Sequence, residues 1–222
     1  MKKKAKIILI AGVGTAITIS LAVAIPFSIW GIRSAIIDND WSYLKNDDTY
    51  SQKVEISGLE LVKQHISCGY ATIEMLSSYY GNKVSEDDLD NKNKGAISTS
   101  STNGFYKEIN SSIPSKEFHK FTYLNNDVFL KEIHDSLADN NPVAIEWAAE
   151  FEGEWTLHFS VVSSLDIKND NVQIYNPYGY IEDIHVNEFI NRTTFKAFKN
   201  MPLFYGFGFA YGAFDKNALF HA

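Results

Sequence analysis

Cys68 is the only cysteine among 222 residues. One thiol excludes an intrachain disulfide framework and a cysteine-built zinc site. Basic residues are also scarce over most of the chain. Lys2, Lys3, Lys4, Lys6 and Arg33 all precede the first acid, Asp38, and beyond those five, 15 basic residues face 27 acidic ones, a balance of −12. Phosphate binding needs a basic surface, so nucleic acid is excluded as a partner. The scattered histidines show no metal-ligand spacing, and neither a metal nor another cofactor is expected. The glycines fit no phosphate-cradling pattern: Gly12 and Gly14 lie in an apolar run, and no βαβ unit surrounds Gly206, Gly208 and Gly212. There are no internal repeats and no low-complexity tracts.

Residues 7–32 carry no charge and follow four lysines. That run exceeds the roughly 7–15 residues of a signal peptide's apolar core and is long enough to cross a bilayer with some tilt. Residues 1–33 therefore read as an uncleaved signal anchor with one transmembrane helix. The positive-inside bias keeps the lysines in the cytoplasm and puts the rest of the chain outside, at the cell membrane. Ala22-Val23-Ala24 offers the alternative, cleavage near Ala24 followed by secretion. No cysteine near the end of the run allows lipid attachment there. In an oxidising compartment an unpaired thiol is a liability unless it reacts for a purpose. The bland alternative is a buried, inert cysteine that packs as a small hydrophobe.

Residues 34–53 read as a linker, and 54–222 as one domain, ample for a core of its own. Val54-Glu55-Ile56 suggests a short strand. Ser67 is a good helix N-cap; Ala71, Met75 and Tyr79 form a stripe behind it, and Gly81 suits the left-handed residue that ends a helix. Cys68 then sits in the first turn, where the dipole and free amides favour a thiolate. Short helices are expected near Ser85–Leu89 and Gly104–Ile109, and a longer one after Asn125-Asn126-Asp127. From Val143 the period changes to two: strands are predicted at Val143–Trp147, Leu157–Ser163 and Val172–Tyr175, with Glu152, Glu154 and Trp155 in a loop. A helix follows from Val186 to about Phe198. The alternating Gly206–Gly212 tail reads as a closing strand. Helices first and an antiparallel sheet second make an α+β layout.

Three residues in this order carry chemistry: Cys68, His158 and Asn176. A nucleophilic thiol needs a base, and the base needs an orienting group. The hairpin between His158 and Asn176 is short, so their strand ends should be neighbours, with the Asn176 amide fixing the imidazole tautomer. Gln64, four residues before Cys68, can pair its side-chain N–H with the Cys68 amide as an oxyanion hole. His185 is a rival base.

These segments resemble the C39-like cysteine peptidases, a papain-fold group. The matching stretches are Gln64-His65-Ile66-Ser67-Cys68-Gly69-Tyr70-Ala71 running to Tyr79-Tyr80-Gly81, then Asn141-Pro142-Val143-Ala144-Ile145, His158-Phe159-Ser160-Val161-Val162 and Asn176-Pro177-Tyr178-Gly179. The resemblance covers about residues 54–200. It implies a papain-like α+β fold, with the nucleophile at a helix start packed on an antiparallel sheet that carries His and Asn. It implies Cys68 as nucleophile, His158 as base, Asn176 as orienting residue and Gln64 as oxyanion donor, acting on a peptide or protein substrate without metal. The family often has Asp where Asn176 stands, and Cys-Gly-Pro-Ala where this chain has Cys-Gly-Tyr-Ala. Its bacteriocin exporters carry membrane and ATP-binding portions absent here, so leader cleavage does not carry over. Two other readings stay open: a catalytically idle papain-fold domain that binds a peptide or a surface, and acyl transfer or isopeptide chemistry by the same residues.

Overall fold

The computed structural model describes residues 20–198 and 200–222. Its elements, in chain order, are a helix over 20–35 (α1), β1 (Val54–Glu55), α2 (Cys68–Tyr79), α3 (Glu86–Asn93), α4 (Thr102–Ser112), β2 (His119–Phe121), α5 (Asn126–Ala138), β3 (Val143–Phe151), β4 (Glu154–Asp166), β5 (Asn171–Asn176), β6 (Tyr180–Ile184), α6 (Val186–Thr193), α7 (Leu203–Ala210) and β7 (Leu219–His221). All strand pairs are antiparallel, in the order β2-β7-β3-β4-β5-β6, and β1 pairs with the far end of β4. Helices lead and most of the sheet follows, as the α+β reading requires.

Local chemistry sets the element that carries the thiol. Ser67 is extended, and its Oγ accepts the Tyr70 N–H, so α2 starts at Cys68. Ala71 and Met75 are buried on the apolar stripe, and Gly81, at φ +75°, closes the helix. α2 packs on β4, with α3 and α4 beside it. One continuous core joins Tyr70, Ile73, Phe105, Phe129, Val161 and Ile174.

The β3–β4 hairpin is longer than expected. Both strands run to a two-residue turn, Glu152-Gly153, with φ +52° and +87°, the positive pair that matches strand twist. Trp155 and Glu154 are therefore strand residues, and His158 sits inside β4 rather than at its start. α6 stops at Thr193, short of Phe198, because the hydroxyls of Thr193 and Thr194 donate back to the carbonyls of Phe189 and Ile190 and Phe195 turns left-handed at φ +60°.

Gly206–Gly212 is not a closing strand; most of it belongs to α7, and β7 closes the sheet instead. Tertiary contact overrides the period of two. Phe207 meets Phe27 edge-on at 5.2 Å, Phe209 stacks on Trp30 at 5.8 Å, and a Cβ at Gly208 would overlap the Phe214 ring. The expected linker also packs: Ile37, Trp41 and Leu44 are buried, the last in a 3-10 turn at Ser42–Asn46.

Among the described residues no helix is long and apolar enough to cross a membrane. Residues 1–19 of the expected anchor lie outside the described residues, and the expected transmembrane helix is without support. The described part, α1, docks on the domain: the Tyr211 hydroxyl donates to the Ala22 carbonyl at 3.0 Å, and the Arg33 guanidinium lies 3.8 Å from the Tyr123 ring centre.

Candidate active site

The Cys68 side is held by an acid that local patterning did not single out. Glu86 is fully buried, and its carboxylate accepts three consecutive backbone amides, those of His65 (3.1 Å), Ile66 (2.9 Å) and Ser67 (3.0 Å). This fixes the strand of chain that delivers Cys68 to the start of α2. Gly69 follows because nothing larger fits: a Cβ there would collide with the Thr99 side chain. The 97–100 segment thus closes directly over the first turn.

Cys68 is half-buried and lines a cavity of about 410 Å³ together with Gln64, His158, Tyr178 and Glu146. The backbone amides of Phe159, Gly69 and Cys68 itself favour its thiolate form. Phe159 adjoins His158 in sequence, so the thiol lies against the strand that carries the imidazole. Burial nevertheless pushes the Cys68 thiol up to about 11, outweighing those three donors, and the charge of Glu146 adds to the rise.

His158 is buried, opposite Trp147 in the β3–β4 ladder. Its Nε2 lies 2.9 Å from Asn176 Oδ1. The amide orientation is fixed independently. Asn176 Oδ1 also accepts the Tyr178 N–H at 2.9 Å, and Asn176 Nδ2 donates to Glu182 Oε2 at 3.3 Å. Oδ1 must therefore face His158, Nε2 must carry the hydrogen, and Nδ1 keeps its lone pair. The Tyr178 ring stacks on the imidazole at 4.1 Å and 22°, which sets the ring plane. Burial pulls His158 down to about 4, partly opposed by the Asn176 bond.

Burial therefore favours the neutral form of both groups, the thiol and the imidazole. It acts against the thiolate that the helix dipole favours. A dipole contribution of about 0.3–1 kcal/mol, rarely 2, does not offset removal of the sulfur from water.

Gln64 is tied to the same strand end: its backbone N–H donates to the Pro177 carbonyl at 2.8 Å. Its Oε1 is sealed without a partner, whereas its Nε2 is not among the sealed, unpartnered atoms. The amide N–H is thus the end left for the cavity.

The structure groups Gln64, Cys68 and His158 on one cavity, with Asn176 bonded to His158 behind it. It leaves His185 elsewhere, exposed and 3.4 Å from Asp170. Among the described residues no group of three or more His, Cys, Asp or Glu could hold a metal. Sequence reasoning missed Glu86, Tyr178, Glu182 and Glu146. Only Glu146 left a local signal, as the lone charge in the apolar run Val143–Ala148.

Residues 48–202 match the family described as Peptidase_C39 like family, and the chain belongs to that family. This places it among peptidase-like proteins, with a fold consistent with the papain type. No curated protein matches the chain.

Proposed function

We propose that this protein is a cysteine peptidase acting outside the cytoplasm, with Cys68 as nucleophile, His158 as base, Asn176 as the residue that orients it and Gln64 in the oxyanion hole. The reading rests chiefly on the Asn176 amide, whose two other bonds leave His158 with a proton on Nε2 and a free Nδ1 at the cavity that Cys68 lines.

As Sγ attacks a peptide carbonyl, its proton passes to His158 Nδ1. The oxyanion takes hydrogen bonds from the Cys68 amide and Gln64 Nε2. The imidazolium then gives its proton to the leaving amine, and a thioester remains on Cys68. Water, deprotonated by His158, attacks the thioester, and Sγ leaves and regains a proton. No metal or cofactor takes part.

Two features support a place at the membrane. Leu21, Ile25, Ile29 and Ile32 on α1 and Leu203, Phe204 and Phe207 on α7 are exposed, and the two helices touch through Phe27 and Phe207. That apolar patch and the lysine-led run before it favour attachment to a membrane.

The neutral resting pair favours a second reading, an idle peptide-binding domain. Cys68→Ala tests both. On the peptidase reading, the variant keeps its melting temperature but loses cleavage of a peptide library and labelling by iodoacetamide. Retained cleavage ends the mechanism. Absence of cleavage by the wild type across the library favours the idle domain. Product analysis with an added amine nucleophile distinguishes acyl transfer from hydrolysis.

A further inference from the structure

The mechanism above leaves Glu146 without a role, yet its placement is costly. It is 1% exposed, on a strand whose neighbours Val143, Ala144, Ile145, Trp147 and Ala148 are all apolar and buried. Its Oε2 accepts from the Thr102 hydroxyl at 3.1 Å and the Asp215 amide at 3.5 Å. Among the described residues its Oε1 has no hydrogen-bond partner, and it is not one of the sealed, unpartnered atoms. The residue lines the Cys68 cavity, so Oε1 is the oxygen left to face it. The basic residue nearest in the same network, Lys120, is engaged with Asn103 at 2.7 Å and Asp215 at 3.3 Å. No side-chain cation among the described residues pairs with Glu146.

Ile97, Leu157, Phe159 and Phe214 give the lining its apolar part, and Thr99, Ser100, Thr156 and Tyr205 add hydroxyls. The cavity, about 410 Å³, falls within the roughly 300–1,000 Å³ of small-ligand pockets. A cavity with apolar side chains and one carboxyl in its wall fits an aliphatic chain tipped by a cation. Burial holds the empty site protonated, with Glu146 raised to about 8. An entering ammonium or guanidinium displaces that proton to solvent and forms an ion pair in a low-dielectric place.

We propose that Glu146 is the specificity residue of this cavity and that it selects a lysine- or arginine-like side chain flanking the bond attacked by Cys68. The proposal rests on the peptidase reading for the word bond, but the cation site itself does not.

Two assays separate the claims. In the first, fluorogenic peptides identical except for Lys, Arg, norleucine or Gln are compared by kcat/KM. The wild type should prefer Lys and Arg over norleucine by about tenfold or more, and in Glu146→Gln the ratio of each cationic peptide to the norleucine peptide, taken within that variant, should fall to about one. In the second, Cys68 is alkylated by an aminoalkyl haloacetamide and by its uncharged alkyl analogue. The wild type should favour the cationic probe, and Glu146→Gln should not. A cation preference in alkylation with no peptide cleaved supports the cation site and overturns the peptidase reading. No cation preference in either assay overturns the proposal. Should Glu146→Gln fail to fold, the wild type decides: the alkylation preference must grow as pH rises through about 8, and a flat profile overturns the proposal.

Discussion

Asn176→Ala separates orientation from packing. Asn176 is fully buried, and its amide makes three hydrogen bonds, to His158 Nε2, the Tyr178 N–H and Glu182 Oε2. Truncation leaves two buried donors, the Nε2–H and the Tyr178 N–H, without an acceptor. Each orphan costs about 1–3 kcal/mol, so a loss of about 2–4 kcal/mol in unfolding free energy is expected, given that such terms are not additive. Urea titration measures it. The catalytic effect comes from a different source. Without Oδ1 the imidazole is free to shift its proton to Nδ1, the nitrogen that must accept from the thiol. The His158 pKa falls further, because the Asn176 bond is what opposes its burial. On the proposed mechanism kcat drops on the order of 10²-fold, with KM little changed. Nitrogen chemical shifts of His158 report the tautomer directly. A variant that loses stability as stated but keeps its kcat and its Nε2–H signal refutes the orienting role, and shows Asn176 to be a packing residue.

Two further outcomes follow from the same cavity. Gly69→Ala pushes a methyl into Thr99, which is buried, so overpacking of about 1–3 kcal/mol and displacement of the 97–100 wall should suppress Cys68 alkylation by bulky probes more than by small ones; equal suppression argues against the wall. Stability should also depend on pH through two buried groups with opposite signs. Glu146 rises from an ordinary 4.5 to about 8, so its contribution is complete below 4.5 and lost as pH rises through 8. His158 falls from 6.5 to about 4, so its contribution is present above 6.5 and lost as pH falls through 4. The two slopes cancel between about 4.5 and 6.5, and from 6.5 to 8 stability should fall by about 2 kcal/mol. Urea midpoints at the two pH values test this, and a fall of the same size in Glu146→Gln would falsify the assignment.

What the sequence disclosed and what it hid divide along the range of the deciding contacts. α2 was legible because its signals are local: Ser67 caps, Ala71 and Met75 repeat at four, and Gly81 turns left-handed. The β3, β4 and β5 strands announced themselves by period, and the short connection of β4 to β5 brought His158 and Asn176 together, although β4 begins four residues before His158. Glu86 and Glu182 were invisible, since each acts on residues that only the fold brings near: Glu86 on amides about twenty positions earlier, Glu182 on an amide across a hairpin. The α7 sequence misled for the opposite reason. Its aromatic and glycine alternation is a period of two, but the glycines there admit neighbouring rings and the aromatics pack on α1, contacts that no window of the chain contains. The pull of burial on Cys68 was hidden in the same way, because the dipole of α2 is a local feature and the burial opposing it is not.

That last point has a kinetic consequence that separates two kinds of dyad. An ion pair present at rest keeps its thiolate from acid pH upward, so alkylation of Cys68 would be flat between the two pKa values of the pair. Burial makes each charge alone expensive: the thiol stands at about 11 and the imidazole at about 4. Between those values both partners are neutral. The two charges form together, when the proton moves from Sγ to Nδ1 and substrate carbonyl takes up the developing negative charge. Alkylation by a small neutral haloacetamide, which supplies no oxyanion and no cation, should therefore climb about tenfold per pH unit through the neutral range towards 11. Peptide cleavage, in which Glu146 is paired and the carbonyl oxygen receives two donors, should rise much less steeply over that range. A plateau in wild-type alkylation from about pH 5 to 9 would show that the ion pair already exists at rest, and the neutral-pair account of this site would be wrong.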